Sequence, residues 1–155
     1  MQVSKKLSDN ATWINIDSKE ITEKFKIYEE YDIDPKIIDY ALDENEHAHM
    51  DYEREDGTVT FIYSVLESKK DKEYYETVPM TFIVQKNRLL TISNEDNDYI
   101  IQKMCSYVDT KEELSIYTLL FAGLEMISNA YYPVIERLDK QKDEINHLLR
   151  KKTTK

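Results

Sequence analysis

The sequence predicts an α+β (mixed α/β) fold in which helices cover a sheet. Three observations carry that expectation. Five segments rich in β-forming residues are separated by turn signals, and four of them are consecutive. Helical periodicity both precedes and follows that run. From Lys111 to about Arg150 the chain then shows no strong breaker but Pro133. At 155 residues there is enough chain for one domain with a real core and too little for two.

Thr12 to Ile16 alternates as a short strand, and Asp17-Ser18 after it can cap a helix. Ile21, Phe25 and Tyr28 follow at helical spacings of four and three. Asp34-Pro35 opens a second helix, with the proline in the first turn, where its missing N–H costs little. Ile37, Ile38, Ala41 and Leu42 give this helix its apolar face, and it stops near Asp43. His47 to Arg54 alternates again, Asp56-Gly57 is a hairpin signal, and Val59 to Leu66 is the next strand. Glu67 to Glu73 is charged and predicted as a solvated loop. Tyr75 to Gln85 and Arg88 to Ser93 form a strand pair about Lys86-Asn87. Asn94-Glu95-Asp96 caps a helix carrying Tyr99, Ile100, Met104 and Tyr107.

The last segment is different in kind. Tyr117, Phe121, Leu124, Ser128, Tyr131, Ile135, Leu138, Lys142, Ile145 and Leu149 recur by fours and threes, which is heptad order. Those residues would span about 50 Å, more than a domain this size needs for its own core. The helix is expected to project, or to pack on something else, with Pro133 removing one of its hydrogen bonds. The expected division is residues 1–110 as the layered body and 111–155 as the long helix.

Composition excludes several functions. Lys plus Arg is 21 and Asp plus Glu is 31, a net charge of −10. Acidity of this size argues against nucleic acid and anionic lipid as partners and is compatible with cations. The charge is uneven: seven bases and three acids from Arg137 onward make that tail +4 and leave the rest at −14. Gly57 and Gly123 are the only glycines, so no phosphate-binding glycine loop can be built. Cys105 alone excludes a disulfide framework and a cysteine-based zinc cluster. Neither a signal peptide nor a run of about 18 apolar residues is present, so the chain as written is expected to be soluble.

Asp43 to Asp56 holds seven acids, with His47 and His49 among them. On a strand, His47, His49, Asp51 and Glu53 would share one face at pairwise steps of about 6.6 Å, and a His-x-His pair can hold zinc. The favoured account is plainer. This is the wet face of a strand whose other face, Ala48, Met50 and Tyr52, is buried, because no third ligand is identifiable. No nucleophile elbow or oxyanion motif surrounds any serine or Cys105, and no catalytic role is expected. Cys105 reads as a small buried hydrophobe, and the twelve tyrosines as packing residues.

Four segments in order carry a resemblance. They are Trp13-Ile14-Asn15-Ile16; Ile33 to Leu42; Val78 to Val84 with Asn87 to Ile92; and Leu119-Leu120-Phe121 through Tyr131-Tyr132-Pro133 to Asp139. Together they resemble the cytoplasmic N-terminal domain of the CorA-type magnesium transporter family. The resemblance implies αβα layers with a mixed sheet, belonging to a pentameric channel for Mg²⁺ or related divalent ions. It places the domain on the cytoplasmic side of the cell membrane, where it senses metal. The family's Gly-Met-Asn loop and spanning segments are absent from this sequence, so a truncated chain is expected, itself a monomer or weak dimer. Adjacent family carboxylates on the short helix fall on Asp39 and on Tyr40, which is no carboxylate. The long-helix carboxylate falls on Glu125, with a further polar position at Asn129. Regulatory Mg²⁺ ligands are therefore expected at Asp39 and Glu125. The alternative is a soluble α+β interaction module that uses its long helix to oligomerise.

Overall fold

The computed structural model describes residues 2–22, 24–68 and 75–153, without the side chains of 24, 25, 152 and 153. Its elements run β1 (Val3–Ser8), β2 (Ala11–Asp17), α1 (Lys24–Tyr31), α2 (Pro35–Leu42), β3 (His49–Tyr52), β4 (Val59–Leu66), β5 (Thr77–Gln85), β6 (Arg88–Ser93), α3 (Asp98–Asp109) and α4 (Ile116–Thr153). Six strands form a sheet in the order β1-β2-β6-β5-β4-β3. The sheet is mixed: β2 runs parallel to β6, and every other neighbouring pair is antiparallel. Most of the loop expected over 67–73 lies outside the described residues.

Strand alternation sends successive side chains to opposite faces, and each face has its own core. Trp13, Met80, Phe82 and Leu89 pack with Ile100 and Met104 of α3 and Leu119, Leu120 and Ile127 of α4. On the other face Ile16, Ile83, Leu90 and Ile92 pack with Ile27 of α1 and Ile38 of α2. The layers are therefore αβα. Local signals explain the boundaries. The Asp34 carboxylate accepts the Lys36 amide at 2.8 Å and starts α2 at Pro35, while Ser115 Oγ accepts the Thr118 amide at 3.0 Å and starts α4. Gly57, at φ 78°, closes the turn before β4 in a conformation that disfavours a side chain.

Gly123 lets α4 approach the sheet. A Cβ there would sit 3.1 Å from both Met104 Sδ and Phe82 Cε1. Beneath this contact a buried polar chain links the parallel strands. Trp13 Nε1 donates to Thr91 Oγ1 at 3.0 Å, Thr91 Oγ1 donates to Asn15 Oδ1 at 2.7 Å, and Asn15 Nδ2 donates to Ser93 Oγ at 2.9 Å.

Several expectations are corrected. β1 was not expected: Leu7 is its one buried apolar side chain, so its pattern is too weak to read. Asp17 caps a short 3-10 turn, Ser18–Glu20, and not α1. Tyr28 is exposed, and α1 contributes Ile27 and Tyr31 to the core instead; the Phe25 side chain is outside the described set. β3 is shorter than predicted and His47 lies before it. Ala48, Met50 and Tyr52, expected to be buried, are exposed, because β3 is an edge strand and neither α3 nor α4 covers it. Helix α4 turns only part of the heptad stripe, Leu124 and Tyr131, to the core. Its buried side is Ile116, Leu119, Leu120, Gly123, Ile127 and Val134, while Tyr117, Phe121, Ile135, Leu138 and Ile145 are exposed. Past Val134 the described side chains of α4 are all exposed, so the helix does project.

Candidate functional site

Asp39 sits on α2 and Glu125 on α4, both exposed. These helices cover opposite faces of the sheet, so one chain cannot bring the two carboxylates to a common ion. Among the described residues no group of three or more His, Cys, Asp or Glu side chains is placed to hold a metal. Mg²⁺ takes oxygen ligands in a near-octahedral shell and keeps several waters, so each residue alone could supply one or two positions at most. A metal ion at either carboxylate would need further ligands beyond those the described residues bring together.

The surroundings of α2 are specific. Tyr40 is half-buried, walled by the Lys36 ammonium 5.4 Å from its ring centroid and by the His49 ring edge-on at 5.5 Å. Hydrogen bonding to Tyr40 raises the Lys36 pKa and keeps that side chain cationic. A metal next to Tyr40 would therefore meet the positive charge of the Lys36 ammonium. The sequence shows Tyr40 beside Asp39, but not the ammonium over its ring.

A cleft of about 210 Å³ opens between the start of α2 and the β3–β4 hairpin, with Asp34, Lys36, Tyr40, Asp51 and Glu53 on its walls. Asp39 is not among its lining residues. His49 lies at this edge, its Nδ1 2.8 Å from the His47 carbonyl oxygen, with a carboxylate oxygen of Glu46 at 3.5 Å and of Asp51 at 3.7 Å. His47 and His49 thus do not share a strand face as predicted: the backbone leaves strand geometry before His49.

On α4, Glu125 lies one turn from Phe121 and one turn from Asn129, and all three are exposed. Glu125 and Asn129 share a helix face, as the four-residue spacing requires. Cys105 is half-buried against the α3–α4 core, and burial raises its thiol pKa, which makes it a poor nucleophile. The hydroxyls of the half-buried Tyr99 and Tyr131 donate to the carbonyls of Leu66 and Ser64, tying α3 and α4 to the end of β4.

Residues 8–155 match the family model described as "CorA-like Mg2+ transporter protein". The complete CorA magnesium transporter of Methanocaldococcus jannaschii superposes with a TM-score of 0.68 at 23% identity, over 93% of this chain and 45% of that one. The soluble domain of the same transporter gives 0.68 at 23% identity, over 90% and 56%. The ZntB cytoplasmic domain from Vibrio parahaemolyticus RIMD 2210633 gives 0.70 at 9% identity, over 88% and 55%. These solved relatives share the fold, and the chain spans about half of their length. Among curated protein sequences none matches the chain. No helix among the described residues is long and apolar enough to cross a membrane.

Proposed function

Because the chain belongs to the CorA-like Mg²⁺ transporter family, we propose that it is the cytoplasmic regulatory domain of a divalent-cation transporter. In this proposal it works in a homo-oligomer, pentameric as the family resemblance implies, on the cytoplasmic side of the cell membrane. Asp39 and Glu125 lie at boundaries between copies and recruit a regulatory divalent ion, Mg²⁺ first. The observation that carries the reading is their placement: two exposed carboxylates on opposite helical layers, each incomplete as a metal site.

Ion binding at such a boundary closes a pore only if the closed arrangement holds the ion better than the open one. The −14 charge of the chain before Arg137 concentrates cations near it. Lys36 beside Tyr40 weakens the α2 half, so the single chain binds Mg²⁺ in the millimolar range at best, about −4 kcal/mol. The test needs protein carrying both this chain and the pore segments that the proposal requires. Mg²⁺-dependent protease protection is compared before and after Asp39→Asn with Glu125→Gln. The double variant is expected to need more Mg²⁺ for protection while still conducting. Identical Mg²⁺ dependence in both proteins would remove these residues from the sensor.

A further inference from the structure

The cleft between α2 and the β3–β4 hairpin has an unanswered polar group in its floor. Thr60 pairs across the sheet with Asp51 of β3 and with Ile83 of β5. Ile83 packs beneath α1 and α2, so strand alternation turns Thr60 and Asp51 toward that same layer. Thr60 is 2% exposed and lines the cleft, and its hydroxyl makes no hydrogen bond among the described residues. A hydroxyl this deep normally has a partner, because burial without one costs free energy. The cleft is where a partner can stand. Its volume of about 210 Å³ is below that of a drug-sized site and suits a ligand of few non-hydrogen atoms.

The walls select the chemistry of that ligand. Asp32 and Asp34 ahead of α2 and Asp51, Glu53 and Asp56 on the hairpin line the cleft, against the single ammonium of Lys36. Such an excess of acid draws a cation and repels an anion. No three of these acids are placed to hold a metal, among the described residues. Ile37 and the Tyr40 ring add an apolar and aromatic wall, which suits a cation with a carbon skeleton. Lys36 shows the preference from within: its ammonium lies 5.4 Å from the Tyr40 ring centroid, and the charges of Asp51 and Asp34 draw on it as well. We propose that this cleft binds a small aliphatic diamine, its two ammonium groups shared among the acids of α2's approach and of the hairpin, with one of them donating to Thr60 Oγ1. The methylenes then lie against Ile37 and the Tyr40 ring. Asp39 does not line the cleft, so this site stands apart from the ion-sensing proposal.

The test is calorimetric titration of the whole chain with 1,4-diaminobutane, with butane-1,4-diol as its uncharged match and Mg²⁺ as the metal alone. The diamine is expected to bind one per chain with a Kd below about 1 mM, and the diol not to bind. Thr60→Val and Asp51→Asn should each weaken the diamine about fivefold or more, through the lost acceptor and the lost charge. Asp51 is exposed, so its variant still reports if Thr60→Val disturbs the fold. Lys36→Met removes the competing ammonium and should tighten binding about threefold or more. Asp139→Asn, on the projecting part of α4, controls for diffuse charge and should change nothing. A parent that does not bind the diamine, or binds the diol equally, would overturn the proposal. So would indifference to Lys36→Met, or a loss with Asp139→Asn as large as with Asp51→Asn. Displacement of the diamine by an equal concentration of Mg²⁺ would also overturn it, since the cleft would then be a general well for cations.

Discussion

Replacing Thr91 with valine tests the polar chain that joins β2 to β6. The exchange conserves volume, so it leaves almost no cavity. What it removes is the acceptor of the Trp13 indole N–H and a donor to Asn15, all within side chains of zero exposure. A lost hydrogen bond costs about 1 kcal/mol net, and a buried donor left without its acceptor about 1–3 kcal/mol more. The expected loss is therefore about 2–4 kcal/mol, or a fall in Tm of roughly 6–12 °C for a domain of this size. Thr91→Ser makes the opposite exchange: it keeps the hydroxyl and drops one methyl, at about 1 kcal/mol. Trp13 is the single tryptophan and is fully buried, so urea unfolding followed by its fluorescence reads the surroundings of this chain directly. If serine proves as costly as valine, the stability lies in the methyl packing and the hydrogen-bond argument fails.

Two further outcomes follow from the packing. Gly123→Val should cost about 1–3 kcal/mol by calorimetry, since Met104 can shift but the Phe82 ring lies in the packed core; unchanged stability would mean that α4 sits farther from the sheet. Burial raises the pKa values of Cys105, Tyr99 and Tyr131, so the folded chain keeps these protons to higher pH than the unfolded chain does. Stability is then whole below the ordinary thiol value of 9.0 and declines as pH rises through and above the phenol value of 10.0, as urea midpoints across alkaline pH would show. A midpoint rising over that range would contradict the sign.

What was legible in the sequence is what local chemistry dictates. Asp34-Pro35 specifies the start of α2 through a cap and a pre-set φ, and Asp56-Gly57 specifies the β3–β4 hairpin through a positive φ. Runs such as Val78 to Val84 read as strands because both their faces are buried. What escaped was decided by neighbours far along the chain. Met50 and Tyr52 alternate as a buried face would, but the sheet order puts β3 at an edge, and alternation does not encode strand order. The stripe from Tyr117 to Leu149 is real, yet only Leu124 and Tyr131 of it pack on the core, and the weaker pattern through Leu120, Gly123 and Ile127 is the fully buried one. Gly123 contributes no hydrophobicity and so hides that face. Asp39 and Glu125 could be named by resemblance, but their separation by the sheet required the topology.

The parallel pairing of β2 with β6 also bears on how the chain reaches its native state. Asn15 and Thr91 are partners across 76 residues of sequence. During synthesis the amino-terminal hairpin β1–β2 emerges first, with no template for its inner edge until β6 has been made. The antiparallel meander β3 to β6 is closed by short connections or local contacts and can form ahead of it. Closing the long loop is an entropic step that precedes any reward from the contacts it creates. Seating of Trp13 is then the late event of folding, and an isolated amino-terminal hairpin spends the interval as an exposed strand edge. Stopped-flow refolding should show the tryptophan signal lagging the backbone signal, and a nascent chain halted before Ser93 should be the species that chaperones retain.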